Sequence, residues 1–432
     1  MRLQGPISDN LGRIVPELDN DRLVAVPLRH LSGRFSGSAH NCNNGHAGGL
    51  LMHFSPVGRP DDLVATGRAF VQDFFLDQAI RGEPLVLDWY PLHISHSYLL
   101  LAFDAWLDHY RATGVEKYLD ACRGAWQIVH GSYEHVGGTI AICEEPRGAY
   151  PPRSLYLDRH TGETCGSVFW ASFNHRLLQL YPGDARYADE IETVLLNVIL
   201  AAQGPDGSIR YHNNLQGTKA APECANTCCE VNGVPFIARI PEFLYSVAPD
   251  GIYVNLFAAS SITWSYDGRP VTLRMETDYP ASGSVELRLA TAAPVRMMIR
   301  IRVPGWAEES ISVKVNGTES ARGEPGGYVE LDRTWASNDL VSLALPMAVR
   351  LVRYAGLDQH AEHDRYALLR GPVLMALTGV DDLDIPAADL PQRIEASPGD
   401  PLALAIAGKP EARYVPYSQV QDEPFTCFPT MR

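Results

Sequence analysis

Near residue 250 the spacing of apolar residues changes from about 3.6 to 2, and this switch constrains the fold more than any other feature of the chain. Before it, Leu99, Leu100, Phe103, Trp106, Leu107 and Tyr110 form a helical stripe that ends at Thr113-Gly114. Val168, Phe169, Phe173, Leu177 and Leu180 form a second stripe, ended by Pro182-Gly183, and a third helix is expected from about Asp184 to Ala202. Pro60 followed by Asp61 and Asp62 reads as a further helix start, with proline in the first turn and acids at the positive end of the dipole. After the switch, Val285, Leu287 and Leu289 alternate with Glu286 and Arg288, and Ile299, Ile301 and Val303 with Arg300 and Arg302. Asp267-Gly268 and Asn316-Gly317 lie between such runs and predict tight hairpin turns. The pattern therefore predicts a multidomain chain, α then β: a helical domain over residues 1–248 and a β-sandwich region over 249–432. From Asp381 onward the chain is rich in Pro and Asp and poorly periodic, so loops and edge strands are expected there.

The helical part carries a weak repeat. GRPDDLVATGRAF from Gly58, GVEKYLDACRGAW from Gly114 and GDARYADEIETVL from Gly183 each turn at glycine, carry charge and open an amphipathic helix. Their spacings, 56 and 69 residues, suit a helical hairpin plus loops and predict an α/α toroid or solenoid. Charge narrows the function. With 36 Lys+Arg against 51 Asp+Glu the formal charge is −15, which argues against a nucleic-acid partner, since that needs clustered basic residues to displace counterions. No apolar run approaches the ~18 residues of a membrane span, and the start, MRLQGPISDN, lacks a basic-then-apolar signal pattern. The expectation is a cytoplasmic protein without a membrane partner, with room for a homo-oligomer. Eight Cys in 432 residues are too sparse for a disulfide scaffold, yet Cys224, Cys228 and Cys229 fall within six residues.

The strongest chemical constellation is ETC at Glu163–Cys165 together with CANTCCE at Cys224–Glu230. Thiolates and a carboxylate are zinc-type ligands, and three sulfurs with one oxygen complete a tetrahedron. Residues two apart do not share a helical face, so Glu163 and Cys165 meet one ion only outside regular helix or in a first turn, and Thr161-Gly162 makes a helix start there. Adjacent Cys228 and Cys229 need a turn to converge, for which Asn232-Gly233 is expected to supply the chemistry. The competing readings are buried free cysteines with one chance pair, or a strained vicinal disulfide. Glu144-Glu145 follows Gly137-Gly138 and precedes PRGAYPP, a loop position suited to a general acid if burial raises its pKa, although two solvated surface glutamates would read the same way. His93 and His96 precede a helix, His46 sits in NNGHAGG, and His160 comes just before ETC; each alone reads equally as structural. Trp89, Tyr150, Tyr156 and Trp170 could line a sugar site or simply fill a core. NGHAGG lacks the strand-before, helix-after context of a phosphate loop, and no GxSxG elbow occurs.

RHTGETCGSVFW, CANTCCEVNG, DGIYVNLFAASSITW and the later IRVPGW, VKVNG, RTWASNDLVSLALPM and LRGPVLMAL resemble the β-L-arabinofuranosidase-like enzymes of glycoside hydrolase family 127, most clearly from His93 to Leu377. The resemblance implies an (α/α)6 barrel followed by β-sandwich domains. It implies zinc on Glu163, Cys165, Cys228 and Cys229, with Cys228 as nucleophile and Cys224 outside the ligand set. An upstream glutamate, Glu144 or Glu145, would be the acid/base. A histidine near a helix start would contact the carbohydrate, His96 being the nearest match, with His46 and His160 as further substrate-binding candidates. The chain departs from the family pattern in two places: ICEEPRG replaces the usual acid/base context, and Glu-Val replaces the prolines after the cysteine pair, which points to a divergent subgroup. Twelve helices of ~11–12 residues with loops exceed the ~250 residues before the β region, so the expectation is a shortened, incomplete barrel. Two other readings stand beside this one: a two-carboxylate glycosidase using Glu144 or Glu145 with Glu163 and structural cysteines, and a non-catalytic carbohydrate-binding protein.

Overall fold

The computed structural model describes residues 2–3, 99–140, 162–219, 227–356 and 364–431. The helix start at Pro60 and the first copy of the repeat lie outside these residues. Among the described residues the helices come first: α1 (Leu99–Thr113), α2 (Glu116–Ser132), α3 (Thr164–Leu180), α4 (Ala185–Thr193), α5 (Cys228–Ala238) and α6 (Ile240–Leu244). The two later copies of the glycine turn do open helices. Gly114 adopts φ +69 with open space around it, and α2 starts two residues on with Glu116 in its first turn. Asp184 stands at the start of α4. The stripe on α1 is buried as its spacing predicts, with Phe103, Trp106 and Leu107 fully enclosed.

The helix expected over 184–202 contains an irregularity. α4 widens into a π-helical stretch at Val194–Ile199 before closing with Leu200–Ala202. Within it, the Asn197 amide donates to the Pro372 carbonyl at 3.0 Å and accepts from Leu374 N–H at 2.8 Å. The extra residue per turn coincides with the point where a helix side chain completes a neighbouring strand.

Beyond Leu244 strands dominate the described residues, with short helical turns at Gly305–Ala307, Leu390–Arg393 and Tyr417–Gln419. One sheet runs in the order Arg2–Leu3, Ser260–Tyr266, Arg269–Thr277, Ser284–Thr291, Leu340–Ala344, Ile311–Val315, Thr318–Gly323. A second runs Gly327–Trp335, Val295–Val303, Gly251–Val254, Tyr245–Ala248. Alternation buries Leu273, Val285, Leu287 and Val313 of the first, and Ile299, Ile301 and Val329 of the second, in a single hydrophobic core that also takes in the helices. Both predicted hairpins form: Asp267-Gly268 and Asn316-Gly317 have positive φ at both turn residues, as the type I′ geometry demands.

Arg302 is a correction. The alternation implies a solvent-facing arginine, but its side chain is fully buried, because that face of the strand packs on α4. It pairs with Asp189 and, at 2.5 Å, with Glu192. Tyr279 Oη and Trp306 Nε1 donate to the same Glu192 carboxylate at 2.8 and 2.9 Å, and Gly305 N–H donates to Asp189 at 3.0 Å. A third sheet follows in the order Val349–Arg353, Asp364–Arg370, Val373–Thr378, Arg413–Pro416, Leu404–Ile406, Ile394–Ala396. Arg413–Pro416 is an interior strand here, not an edge, because Tyr414 and Val415 are buried on opposite faces of the sheet. Gln216–Gly217, from the helical part, extends this sheet through Phe425–Thr426.

Candidate metal centre

Two helix N-termini converge on one cluster. Glu163 stands just before α3, in extended backbone, and Cys165 is in the first turn. Gly162 makes this entry with φ +70; a Cβ there would overlap the Thr139 methyl and lie 2.9 Å from the Asn213 carbonyl. The segment after α4 holds the entry in place. Glu163 bridges to His212, Thr164 N–H donates to the Tyr211 carbonyl at 2.8 Å, and Asn213 N–H donates to the Gly162 carbonyl at 2.9 Å. The Thr164 hydroxyl donates to the Arg210 carbonyl at 2.7 Å and accepts from the Asn213 amide at 2.8 Å.

Cys228 and Cys229 open α5, capped by Thr227, whose hydroxyl accepts from Glu230 N–H at 3.1 Å. The expected turn at Asn232-Gly233 is absent, since both residues lie inside α5. Adjacent cysteines converge instead because they occupy a helix's first turn. Gly233 serves packing, a Cβ there coming within 3.2 Å of the Ile209 side chain. Neither cysteine of the pair is in a disulfide.

The ligand atoms of Glu163, Cys165, Cys228 and Cys229 all lie within 4.8 Å of one another. Cys165 Sγ is 3.4 Å from Cys229 Sγ, and Glu163 Oε1 is 3.6 Å from Cys228 Sγ and 3.9 Å from Cys229 Sγ. Tetrahedral zinc with ~2.3 Å bonds to sulfur separates its sulfurs by about 3.8 Å, so the donors stand at nearly the spacing one ion requires. Glu163, Cys165 and Cys229 are buried, while Cys228 keeps partial exposure. Burial pushes the Cys165 and Cys229 thiols well up, so both stay neutral at pH 7 without a cation. A divalent ion reverses that balance, and the two helix dipoles aid it by favouring negative charge at their N-termini. Three soft donors and one carboxylate fit zinc by type as well as by spacing.

Two neighbours of the cluster escaped sequence reasoning. Tyr211 brings its hydroxyl to 3.4 Å from Cys228 Sγ, and Asn232 brings Nδ2 to 3.4 Å from Cys165 Sγ. Asn232 carried a signal, standing four residues after Cys228 on one helical face; Tyr211 carried none. Cys224, Glu144, Glu145, His46, His96 and His160 lie outside the described residues, as do Trp89, Tyr150 and Tyr156. Ile140 N–H donates to the Ser167 hydroxyl of α3 at 3.4 Å. Trp170 is a core residue, fully buried. Its indole N–H reaches Glu134 at 3.3 Å and Glu190 at 3.1 Å. Those two carboxylates grip His130 at 3.0 and 2.9 Å, raising its pKa to about 10, first through the hydrogen bond with Glu134.

Residues 90–242 match the family profile described as beta-L-arabinofuranosidase, GH127 catalytic domain, and residues 251–347 the GH127 middle domain. The non-reducing end beta-L-arabinofuranosidase of Bifidobacterium longum subsp. longum is 25% identical over 294 residues, 63% of this chain. The chain spans 44% of that relative's length. Among solved structures, a GH127 beta-L-arabinofuranosidase from Geobacillus stearothermophilus T6 superposes with TM-score 0.67 at 22% identity, covering 88% of this chain and 71% of that one. Another, described as a glycoside hydrolase, gives TM-score 0.72 at 20% identity over 93% and 78% of the two chains. At such identities the structural likeness speaks for the fold.

Proposed function

Because the chain belongs to glycoside hydrolase family 127, we propose that it is a retaining glycosidase for β-L-arabinofuranosides or a related sugar, with Cys228 as nucleophile. The observation that carries this reading is the donor set: three sulfurs and a carboxylate within 4.8 Å, of which Cys228 is the sulfur left partly exposed. Zinc held by Glu163, Cys165, Cys228 and Cys229 would keep Cys228 as a thiolate at neutral pH, where a free thiol of pKa ~8.5 is mostly protonated.

The Cys228 sulfur attacks the anomeric carbon, forming a carbon–sulfur bond as the bond to the leaving oxygen breaks. Glu144 or Glu145 gives its proton to that oxygen. The same glutamate then takes a proton from water, whose oxygen attacks the anomeric carbon and releases the thiolate. Two inversions return the original configuration. Glu163 is only 1% exposed and sits against the cysteine sulfurs, which favours a ligand role over that of a nucleophile in a two-carboxylate mechanism. We read the helices as part of an (α/α)6-type barrel, with the catalytic domain within 1–248 and β-sandwich domains over 249–432. His46, His96 and His160 would meet the carbohydrate.

The test is hydrolysis of aryl β-L-arabinofuranosides by reduced protein, with metal analysis, with and without a chelator. About one zinc per chain, chelator-sensitive turnover and an inactive Cys228→Ser are expected. Undiminished turnover in metal-free protein or in Cys228→Ser would restore the two-carboxylate mechanism. Sugar binding without hydrolysis would leave a carbohydrate-binding protein.

A further inference from the structure

We propose that Asn232 is a positioning residue of the metal centre, its side-chain amide holding Cys165 as an anchoring thiolate and tying it to the start of α5. The inference rests on the metal reading above. Asn232 Nδ2 lies 2.8 Å from the Cys228 carbonyl oxygen and 3.4 Å from Cys165 Sγ, so each of its two hydrogens has a partner. Both partners are acceptors once Cys165 is ionised, which settles the orientation of the amide: the reverse orientation would face its oxygen against a carbonyl and a thiolate. The bond crosses from α5 to α3, joining the backbone of one ligand residue to the sulfur of another.

A hydrogen bond to a charged acceptor stabilises the charged form and takes electron density from it. Cys165 is thereby made a better-held and less nucleophilic ligand. The described neighbours of Cys228 include the Tyr211 hydroxyl at 3.4 Å and Glu163. Outer partners of metal ligands commonly govern affinity by ~10–100-fold.

The experiment compares Asn232→Ala and Asn232→Asp with the parent chain by zinc competition against a chromophoric chelator and by absorption of the cobalt-substituted protein. Asp keeps the shape of Asn but cannot donate, so it separates hydrogen bonding from packing; it also carries the comparison should Asn232→Ala not fold. The expected result is ~10–100-fold weaker zinc binding in both variants, at least as weak in Asn232→Asp. In both, the sulfur-to-cobalt charge-transfer band should move to lower energy, because an unbonded thiolate is easier to oxidise. Zinc affinity within about threefold of the parent and an unshifted band in Asn232→Asp would overturn the proposal and leave Asn232 a packing residue. Failure of the parent chain itself to take up zinc or cobalt would instead overturn the metal reading, and this inference with it.

Discussion

Gly162→Ala tests whether the entry to α3 is built for the ligand that follows it. The residue adopts φ +70, where an L side chain costs ~1–2 kcal/mol. Its new methyl would overlap the Thr139 methyl and press on the Asn213 carbonyl at 2.9 Å, an overpacking that typically costs ~1–3 kcal/mol more. The expected loss is therefore about 2–5 kcal/mol by urea denaturation, read on zinc-replete and chelated protein. Zinc affinity should fall as well, because relief of the clash moves the backbone carrying Glu163. Thr139→Ser supplies the internal control. Alone it removes one buried methyl group and costs ~0.8 kcal/mol. Combined with Gly162→Ala it clears the worst contact, so Gly162→Ala should cost less in the Thr139→Ser background, leaving mainly the backbone share. Strict additivity of the two changes, or a Gly162→Ala chain as stable and as zinc-tight as the parent, would refute the reasoning.

Two further outcomes concern buried charge. Burial lowers the Lys219 pKa from 10.5 to about 7, with Arg210 adding to the effect and Cys427 and Glu423 opposing it. A base depressed on folding loses stability as pH falls from its unfolded value towards its folded one, so Lys219→Met should gain on the parent between pH 10 and pH 6, by up to ~5 kcal/mol at ~1.36 kcal/mol per unit; denaturation at the two pH values checks this, and a pH-independent difference contradicts it. Arg302→Met should cost ~3–5 kcal/mol at neutral pH by leaving buried Glu192 and half-buried Asp189 without their cation. That cost should shrink below pH 6, since burial already raises Asp189 to about 6 and protonation relieves it; equal losses at pH 5 and pH 8 would contradict this.

The parts of this molecule legible in the sequence are those set by local chemistry. Hairpins at Asp267-Gly268 and Asn316-Gly317 need only positive φ at two residues, and glycine with aspartate or asparagine supplies it. The ligand-type residues stood out because three of only eight Cys fall within six residues and another follows Glu163 by two. What escaped depends on a second surface. Arg302 follows its strand's alternation perfectly, yet α4 covers that face with two acids, a fact no window of residues around 302 contains. Asn232-Gly233 has turn composition, but the close approach of Ile209 and the bond to Cys165 explain those residues inside a helix. Tyr211 reaches Cys228 because the segment after α4 bridges back to Glu163, a pairing between residues 49 apart. Local propensity lost to tertiary contact in each case.

Burial at the cluster explains why a fold of this size surrounds four side chains. The same enclosure that makes Cys165 and Cys229 reluctant to ionise alone would make them tight, dry ligands for a cation. Such a site cannot rest on loops, whose backbone would relax under the electrostatic demand. Here its donors sit at the starts of α3 and α5, and α3 packs on α4, which the Arg302 pairs join to the second sheet. The π-helical stretch after α4 is pinned in turn to the third sheet through Asn197. The second and third sheets thus fix the helical run that backs α3, and the placement of the four clustered side chains follows from contacts spread over much of the described chain. Loosening a remote pair such as Arg302–Glu192 should then reach the centre as a loss of ligand alignment before it appears as unfolding.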